Sequence, residues 1–491
     1  MPARIIWLLV TVALIAGAFV VAALFLGGDR RVLLIGATTD AHHQLEMSCE
    51  TCHGTTAFAD AVAAEQAVNK ACRNCHEDEL DDADDSHPRR EFRNPRMAAY
   101  WEKLDARLCT TCHIEHRPEI TLAGAVTLPL DFCSACHSEG DQDVRAHRPS
   151  HAAATFDTCA SAGCHNFHDN RALYEDFLVK HADEPWLAAS PIHGLSALGR
   201  GPGAPAEVAL TRDDAVAPAN ALAAPGILDD WSGSGHAAAD VNCGGCHATG
   251  GDGNTVDVEA NWIETPSLAV CEDCHRPQTR TFALGRHGMR QHPKIAQPRD
   301  PRRGLSSLGL EGLVPDAVAD WLSDPVLPLR LTVAEARLPM KPDAVRRSLH
   351  CGSCHAPHSA DTRHAAVEAC SSCHDDPHTR AYFESAHYEL WRNELAGTAP
   401  PGAGVSCATC HMTKTERRGR VVTSHNQNDS LRPNEKMIRP VCLDCHSLQF
   451  SLDALADVPL IEANFTDKPK IHVESIDWAV SRTRDQAVAD G

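Results

Sequence analysis

The chain has 491 residues, with 45 Lys+Arg against 66 Asp+Glu and a formal net charge of −21. That acidic balance excludes a phosphate-backbone binder, which needs clustered Lys and Arg, so no nucleic acid is expected as a partner. Gly and Pro are ordinary at 31 and 30, but 8 Trp, 4 Tyr and 12 Phe are few for this length, so something other than aromatic side chains is expected to fill the interior.

Residues Ile5 to Leu26 form an apolar tract of 22 residues broken only by Thr11 and Gly17. As a helix it would be roughly 33 Å long, enough for a hydrocarbon core of about 30 Å. A cleaved leader has a shorter apolar region and a small-x-small exit site, whereas this tract runs into Gly27-Gly28-Asp29-Arg30-Arg31. An uncleaved single-pass anchor is therefore favoured, with residues 1–31 as cytoplasmic tip and span. Arg4 on one side and Arg30 and Arg31 on the other leave its orientation open on charge alone.

Beyond the tract, 22 cysteines fall into eleven pairs, each followed directly by His. Ten read Cys-x-x-Cys-His: Cys49/Cys52/His53, Cys72/Cys75/His76, Cys109/Cys112/His113, Cys133/Cys136/His137, Cys243/Cys246/His247, Cys271/Cys274/His275, Cys351/Cys354/His355, Cys370/Cys373/His374, Cys407/Cys410/His411 and Cys442/Cys445/His446. The fifth in chain order is stretched to Cys159-Ala-Ser-Ala-Gly-Cys164-His165, with small residues and Gly163 in the loop. Cys-x-x-Cys-His is the c-type haem attachment signature: two thiols form thioethers to the porphyrin and the next His becomes the proximal iron ligand. Zinc sites, disulfides and thiol-redox pairs have no reason to place His after every pair. Eleven covalent haems c are expected. Bacterial attachment of this kind occurs outside the cytoplasmic membrane, so the body should lie in the periplasm.

Between the motifs, helices are expected from Ala57 to Lys70 and from Met97 to Leu108, both rich in good helix formers. The run Glu77 to Asp85 carries seven carboxylates in nine residues and reads as a solvated loop, or as a patch steering a basic redox partner. First-Cys intervals of 23, 37, 24 and 26 are followed by a gap of 84 from Cys159 to Cys243. Gly199 to Gly235 within that gap is rich in Gly, Pro and Ala. The spacing thus divides the chain into a five-haem module at 40–195, a linker at 196–235, a six-haem module at 236–470 and a tail at 471–491. A second gap of 80, from Cys271 to Cys351, contains an apolar stretch from Gly309 to Leu331 with helical character. The clearest helix spans His378 to Leu395, closed by Gly397, with Phe383, His387, Leu390 and Trp391 on one face.

Thirty His less eleven proximal ones leaves nineteen, more than eleven irons need for a second imidazole each. Distal candidates are His87, His116, His147, His151, His168, His287, His358, His378, His387 and His425. His116, His168, His358 and His378 follow their own proximal His too closely to reach round the same ring, so they are expected to serve a neighbouring iron. His42 and His43 either serve the first haems or sit on the membrane-proximal surface. Two axial imidazoles keep iron low-spin and closed, which suits electron transfer.

Residues 280–465 resemble the hydroxylamine oxidoreductase-like multihaem cytochromes. The resemblance is carried by Gly285-Arg286-His287-Gly288, Cys351-x-x-Cys354-His355-Ala-Pro-His358, Cys370-x-x-Cys373-His374-x-x-x-His378, Cys407-x-x-Cys410-His411-Met412 and Arg439-Pro440-Val441-Cys442-x-x-Cys445-His446. The N-terminal half resembles class III-type cytochromes in its repeated motifs. In layout alone the chain is similar to membrane-anchored quinol-oxidising cytochromes and to the pentahaem subunit of alternative complex III. Two catalytic devices of related enzymes are missing: the tyrosines are Tyr100, Tyr174, Tyr382 and Tyr388, none after Cys442, and no Cys-x-x-Cys-Lys occurs.

The expected fold is mostly α with extensive irregular structure, organised around a haem chain, with one N-terminal transmembrane helix. The expected function is electron relay between a membrane donor (quinol or dehydrogenase) and a redox partner protein, with no residue assigned a catalytic role. The alternative is an oxidoreductase acting on nitrite, hydroxylamine or tetrathionate at one open haem. A conducting polymer subunit is disfavoured by the anchor.

Overall fold

The computed structural model describes residues 7, 10–18, 34–46, 48–54, 61–82, 87–137, 166–168, 173–197, 209–248, 257–295, 332–359, 361–417, 420–431 and 434–489. Within them the protein is mostly helical, with many single-turn helices, long irregular connections and one two-stranded sheet. Among the described residues no helix is long and apolar enough to cross a membrane. Most of the apolar tract at 5–26 lies outside them, as do the stretched motif, His147, His151 and the 309–331 stretch.

The described motifs are helical, several of them as a single turn. The amide of the motif His bonds the carbonyl of the first Cys, at 2.9 Å for His113 to Cys109, His247 to Cys243 and His355 to Cys351, and 2.7 Å for His446 to Cys442. One turn puts positions i and i+3 on the same face, which presents both thiols together.

Cα proximity divides the chain into two compact units. The first comprises Met1–Cys136, Phe167–Asp169 and His292–Leu329. Its main helix, α1 (Ala61–Asp82), runs beyond the expected 57–70 and straight through the second motif. Residues 77–82 of the acidic run therefore lie on a helix rather than in a loop, while 83–85 lie outside the described residues. Buried Asn69 on α1 anchors the third motif: its side chain accepts from Cys109 N at 2.5 Å and donates to Thr110 Oγ1 at 3.1 Å. The expected helix at 97–108 is cut to Ala98–Trp101. Asp105 ends it by bonding the Arg107 amide at 3.1 Å and guanidinium at 2.7 Å, the local competition with helix that Asp favours.

The second unit comprises His137–Asn166, Asn170–Gln291 and Arg330–Gly491. Its elements are α2 (Glu175–Lys180), α3 (Ile227–Ser232), α4 (Leu268–Leu284), α5 (Pro377–Tyr382), α6 (Ala386–Leu395), β1 (Lys414–Arg417), β2 (Arg420–Thr423), α7 (Leu448–Ala456), α8 (Val458–Glu462) and α9 (Ser475–Ala489). The largest apolar cluster joins Leu173 and Leu178 to Ile438, Leu448, Leu452, Ile476 and Ala479. Residues 173–197, which spacing puts with the five-motif module, thus pack on the C-terminal helices. The supposed tail at 471–491 supplies α9 to that core.

Over its described part, the expected 196–235 linker makes specific contacts. Trp231 on α3 is buried and donates Nε1 to Val241 O at 3.1 Å. Asn242 accepts from Val216 N at 2.9 Å and Cys243 N at 2.7 Å, so this Ala- and Pro-rich segment braces the sixth motif. The single helix expected at 378–395 is two. Ser385 ends α5 and caps α6, accepting from Tyr388 N at 3.2 Å. The break leaves Phe383 exposed while Tyr382 and Trp391 pack with Val367.

Candidate functional site

The site is built from imidazoles held in pairs. In the first unit the ring centroids of His42 and His76 lie 6.0 Å apart, those of His53 and His116 6.4 Å, and those of His113 and His168 6.3 Å. In the second unit His236 and His275 are 6.2 Å apart, His247 and His358 6.1 Å, and His287 and His374 6.2 Å. His355 and His425 are 6.1 Å apart, His378 and His411 6.1 Å, and His387 and His446 6.2 Å. Every pair joins one motif His to one His outside the motifs.

The distance is constant while the interplanar angle runs from 13° for His247/His358 to 84° for His378/His411. Ring stacking behaves otherwise: Trp262 lies on His247 at 4.4 Å and 9°, and Phe450 on His446 at 4.5 Å and 16°. Two metal–imidazole bonds of about 2 Å, with about 1.1 Å from each nitrogen to its ring centre, put centroids about 6 Å apart at any rotation about the common axis. The residues present therefore fit an iron between each pair.

Local structure explains how each partner is aimed. His116 has φ 62°, a left-handed conformation in which His is over-represented, and its Nδ1 donates to Gly36 O at 2.8 Å. His113 Nδ1 donates to Ala125 O at 2.8 Å, and His247 Nδ1 to Ile263 O at 2.7 Å. These bonds leave Nε2 as the free electron-pair donor. His425 follows β2, and its amide is held by Thr281 Oγ1 at 2.9 Å. A Cβ on Gly285 would stand 2.8 Å from His425 O, and one on Gly288 would collide with the Phe282 carbonyl. The glycines flanking Arg286-His287 are thus needed for close approach. Asn464 donates to His378 Nε2 at 3.1 Å, marking the lone pair an iron would take.

Electrostatics favour neutral imidazoles. Burial, with neighbouring histidines, lowers His287, His387 and His411 to about 4. Burial also pushes the Cys52 and Cys112 thiols up to about 11 and Cys354, Cys410 and Cys442 to about 12. Such thiols are protonated at neutral pH, unlike the thiolates of redox Cys-x-x-Cys pairs or zinc sites. Cys271 moves the other way, to about 7, because it shares a hydrogen bond with Cys351. Among the described residues no cluster of three or more His, Cys, Asp or Glu could hold a bare metal ion.

Cysteines of successive motifs are also neighbours. Cys246 feels Cys271 and Cys274, Cys271 bonds Cys351, and Cys354 feels Cys370 and Cys373. Cys370 bonds Cys407, and Cys410 feels Cys442 and Cys445. In the first unit Cys52 lies near Cys75, and Cys72 bonds Cys109.

Of the distal candidates, His116, His168, His287, His358, His378, His387 and His425 each stand opposite a motif His. His87 instead stacks on Phe167 at 4.3 Å and donates to its carbonyl at 2.8 Å. His137 is half-buried, His43 turns its Nδ1 to Asp40 O at 2.9 Å, and His147, His151 and His165 lie outside the described residues. Sequence reasoning passed over His236, whose signal was the Ser234-Gly-His-Ala segment: Ser234 Oγ caps it, accepting from the His236 and Ala237 amides at 3.2 and 3.3 Å.

Two family models match the chain, cytochrome c3 over residues 41–138 and cytochrome c552 over residues 381–458. No curated protein and no solved structure matches it.

Proposed function

Because this chain is a multihaem c-type cytochrome, we propose that it relays electrons along a row of haems c between a membrane donor and a redox partner. The carrying observation is the set of nine imidazole pairs at 6.0 to 6.4 Å, the spacing of two axial ligands on one iron. In this reading the motif cysteines anchor eleven haems, the motif histidines are proximal ligands, and His42, His116, His168, His236, His287, His358, His378, His387 and His425 are distal ligands. Haem iron, when bound, supplies a one-electron ferric/ferrous couple. With a haem iron held between them, the paired imidazoles would leave no open site for a small molecule.

The distal ligands come from elsewhere in the chain. His358 follows the eighth motif but faces the sixth, and His378 follows the ninth but faces the tenth. Such cross-ligation, with the contacts between successive cysteines, supports a row in sequence order from the sixth motif to the eleventh. The apolar tract at 5–26 and the extracytoplasmic chemistry of haem attachment support an anchored body in the periplasm, fed by quinol or a dehydrogenase.

Catalysis on a small nitrogen compound is the second reading, favoured by the cytochrome c552 match over 381–458. Protein-film voltammetry on the haem-loaded chain separates the two. The relay gives reversible waves that nitrite, hydroxylamine and tetrathionate leave unchanged; a catalytic current with any of them would overturn it.

A further inference from the structure

Carboxylates stand behind both rings of the His42/His76 pair. His76 Nδ1 meets Glu79 Oε2 at 2.9 Å, and His42 Nδ1 meets Glu115 Oε1 at 2.5 Å. The neighbouring rings of the same unit use backbone instead, His113 on Ala125 O and His116 on Gly36 O, both at 2.8 Å. His236, His247, His378, His425 and His446 also turn Nδ1 to carbonyls. His374 lies 4.0 Å from Asp376, beyond a hydrogen bond. Glu115 is itself fixed, since Thr39 donates its amide to Oε2 and its hydroxyl to Oε1, each at 2.9 Å.

We propose that Glu115 and Glu79 are tuning carboxylates that stabilise the ferric state of the haem between His42 and His76. The inference rests on the reading of ring pairs as axial ligands. A carboxylate accepting Nδ1–H draws the proton toward itself, so Nε2 becomes a stronger donor to the metal and favours the higher charge state. The formal negative charges act in the same direction through space. A backbone carbonyl does less of both. Glu79 is 44% exposed against 35% for Glu115 and lacks the Thr39 clamp, so its share is smaller.

Glu115→Gln keeps an acceptor oxygen of similar shape and removes the charge. Its effect is read by redox titration of the haem-loaded full chain, with EPR spectra taken at each potential. His42→Ala first identifies the signal of this haem, which converts from low-spin to high-spin. In E115Q that signal is expected to stay low-spin while its reduction equilibrium shifts about tenfold toward ferrous, equal to about 59 mV. Glu79→Gln, on an exposed helix face, shifts it in the same direction by less. An unmoved midpoint in both variants with the low-spin signal intact would overturn the proposal, as would a high-spin signal in E115Q, which makes Glu115 only a positioner of His42. If His42→Ala leaves every haem low-spin, the axial-ligand reading fails instead, and the proposal with it.

Discussion

At the scale of single residues, the function depends on side chains whose neighbours in sequence say little about them. His236 stands just past the Gly-, Pro- and Ala-rich linker with no motif beside it, yet its ring stands 6.2 Å from His275. Replacing His236 with Ala is expected to turn one haem high-spin and open it to carbon monoxide, seen as a new Soret shift on the reduced protein. An unchanged spectrum would remove it from the ligand set. Residue type made the attachment motifs legible, because thioether chemistry demands Cys-x-x-Cys-His in sequence. Distal partners are fixed by tertiary packing, so abundance and proximity to a motif could name His358 and His378 as candidates but not the rings they face. Gly285 was legible only as part of a family-like string; its physical role is to leave room for the His425 carbonyl, which a Cβ would meet at 2.8 Å. Gly285→Ala is expected to displace that carbonyl and broaden the low-spin EPR signal of the eighth-motif haem.

At the scale of elements, helix-forming composition located α1 but not its end, because the motif Cys72-Arg-Asn-Cys75-His76 is itself compatible with a helix. The break between α5 and α6 was hidden for the opposite reason: Ser385 lies in an apolar repeat of helical period, and its capping bond outweighs that pattern. The C-terminal core could not be read from spacing because Leu173, Leu178, Ile476 and Ala479 come from segments far apart in sequence. Leu452, buried on α7, is expected to cost about 2–5 kcal/mol when replaced by Ala, measured by chemical denaturation. The attachment of α9 has a pH signature. His472 is raised by its hydrogen bond to Asp477, with further help from Asp453. A raised His stabilises the fold fully below its unfolded value of about 6.5 and loses that effect as pH climbs through the folded value. The protection factors of α9 amides, that is exchange corrected for its intrinsic pH dependence, should therefore be higher at pH 5.5 than at pH 8, a difference that His472→Gln diminishes.

At the scale of the whole molecule, the few aromatic residues, 24 in 491, lead to the expectation of an interior filled by cofactor, and the acidic run at 77–85 to that of a patch steering a basic partner. The exposed carboxylates of Glu77 and Asp81 on α1 belong to that run. Neutralising them as Gln and Asn is expected to lower the electron-transfer on-rate with a basic soluble cytochrome at low salt, and to have no effect at high salt, as stopped-flow spectroscopy would show. The central claim is that paired imidazoles close the irons. It is tested most directly by low-temperature EPR of the oxidised, haem-loaded protein, with carbon monoxide difference spectra after reduction. Low-spin ferric signals from the nine paired sites, with no carbon monoxide shift there, are the expected result. A high-spin ferric signal coupled to a carbon monoxide-sensitive ferrous haem at any of the nine paired sites would contradict it.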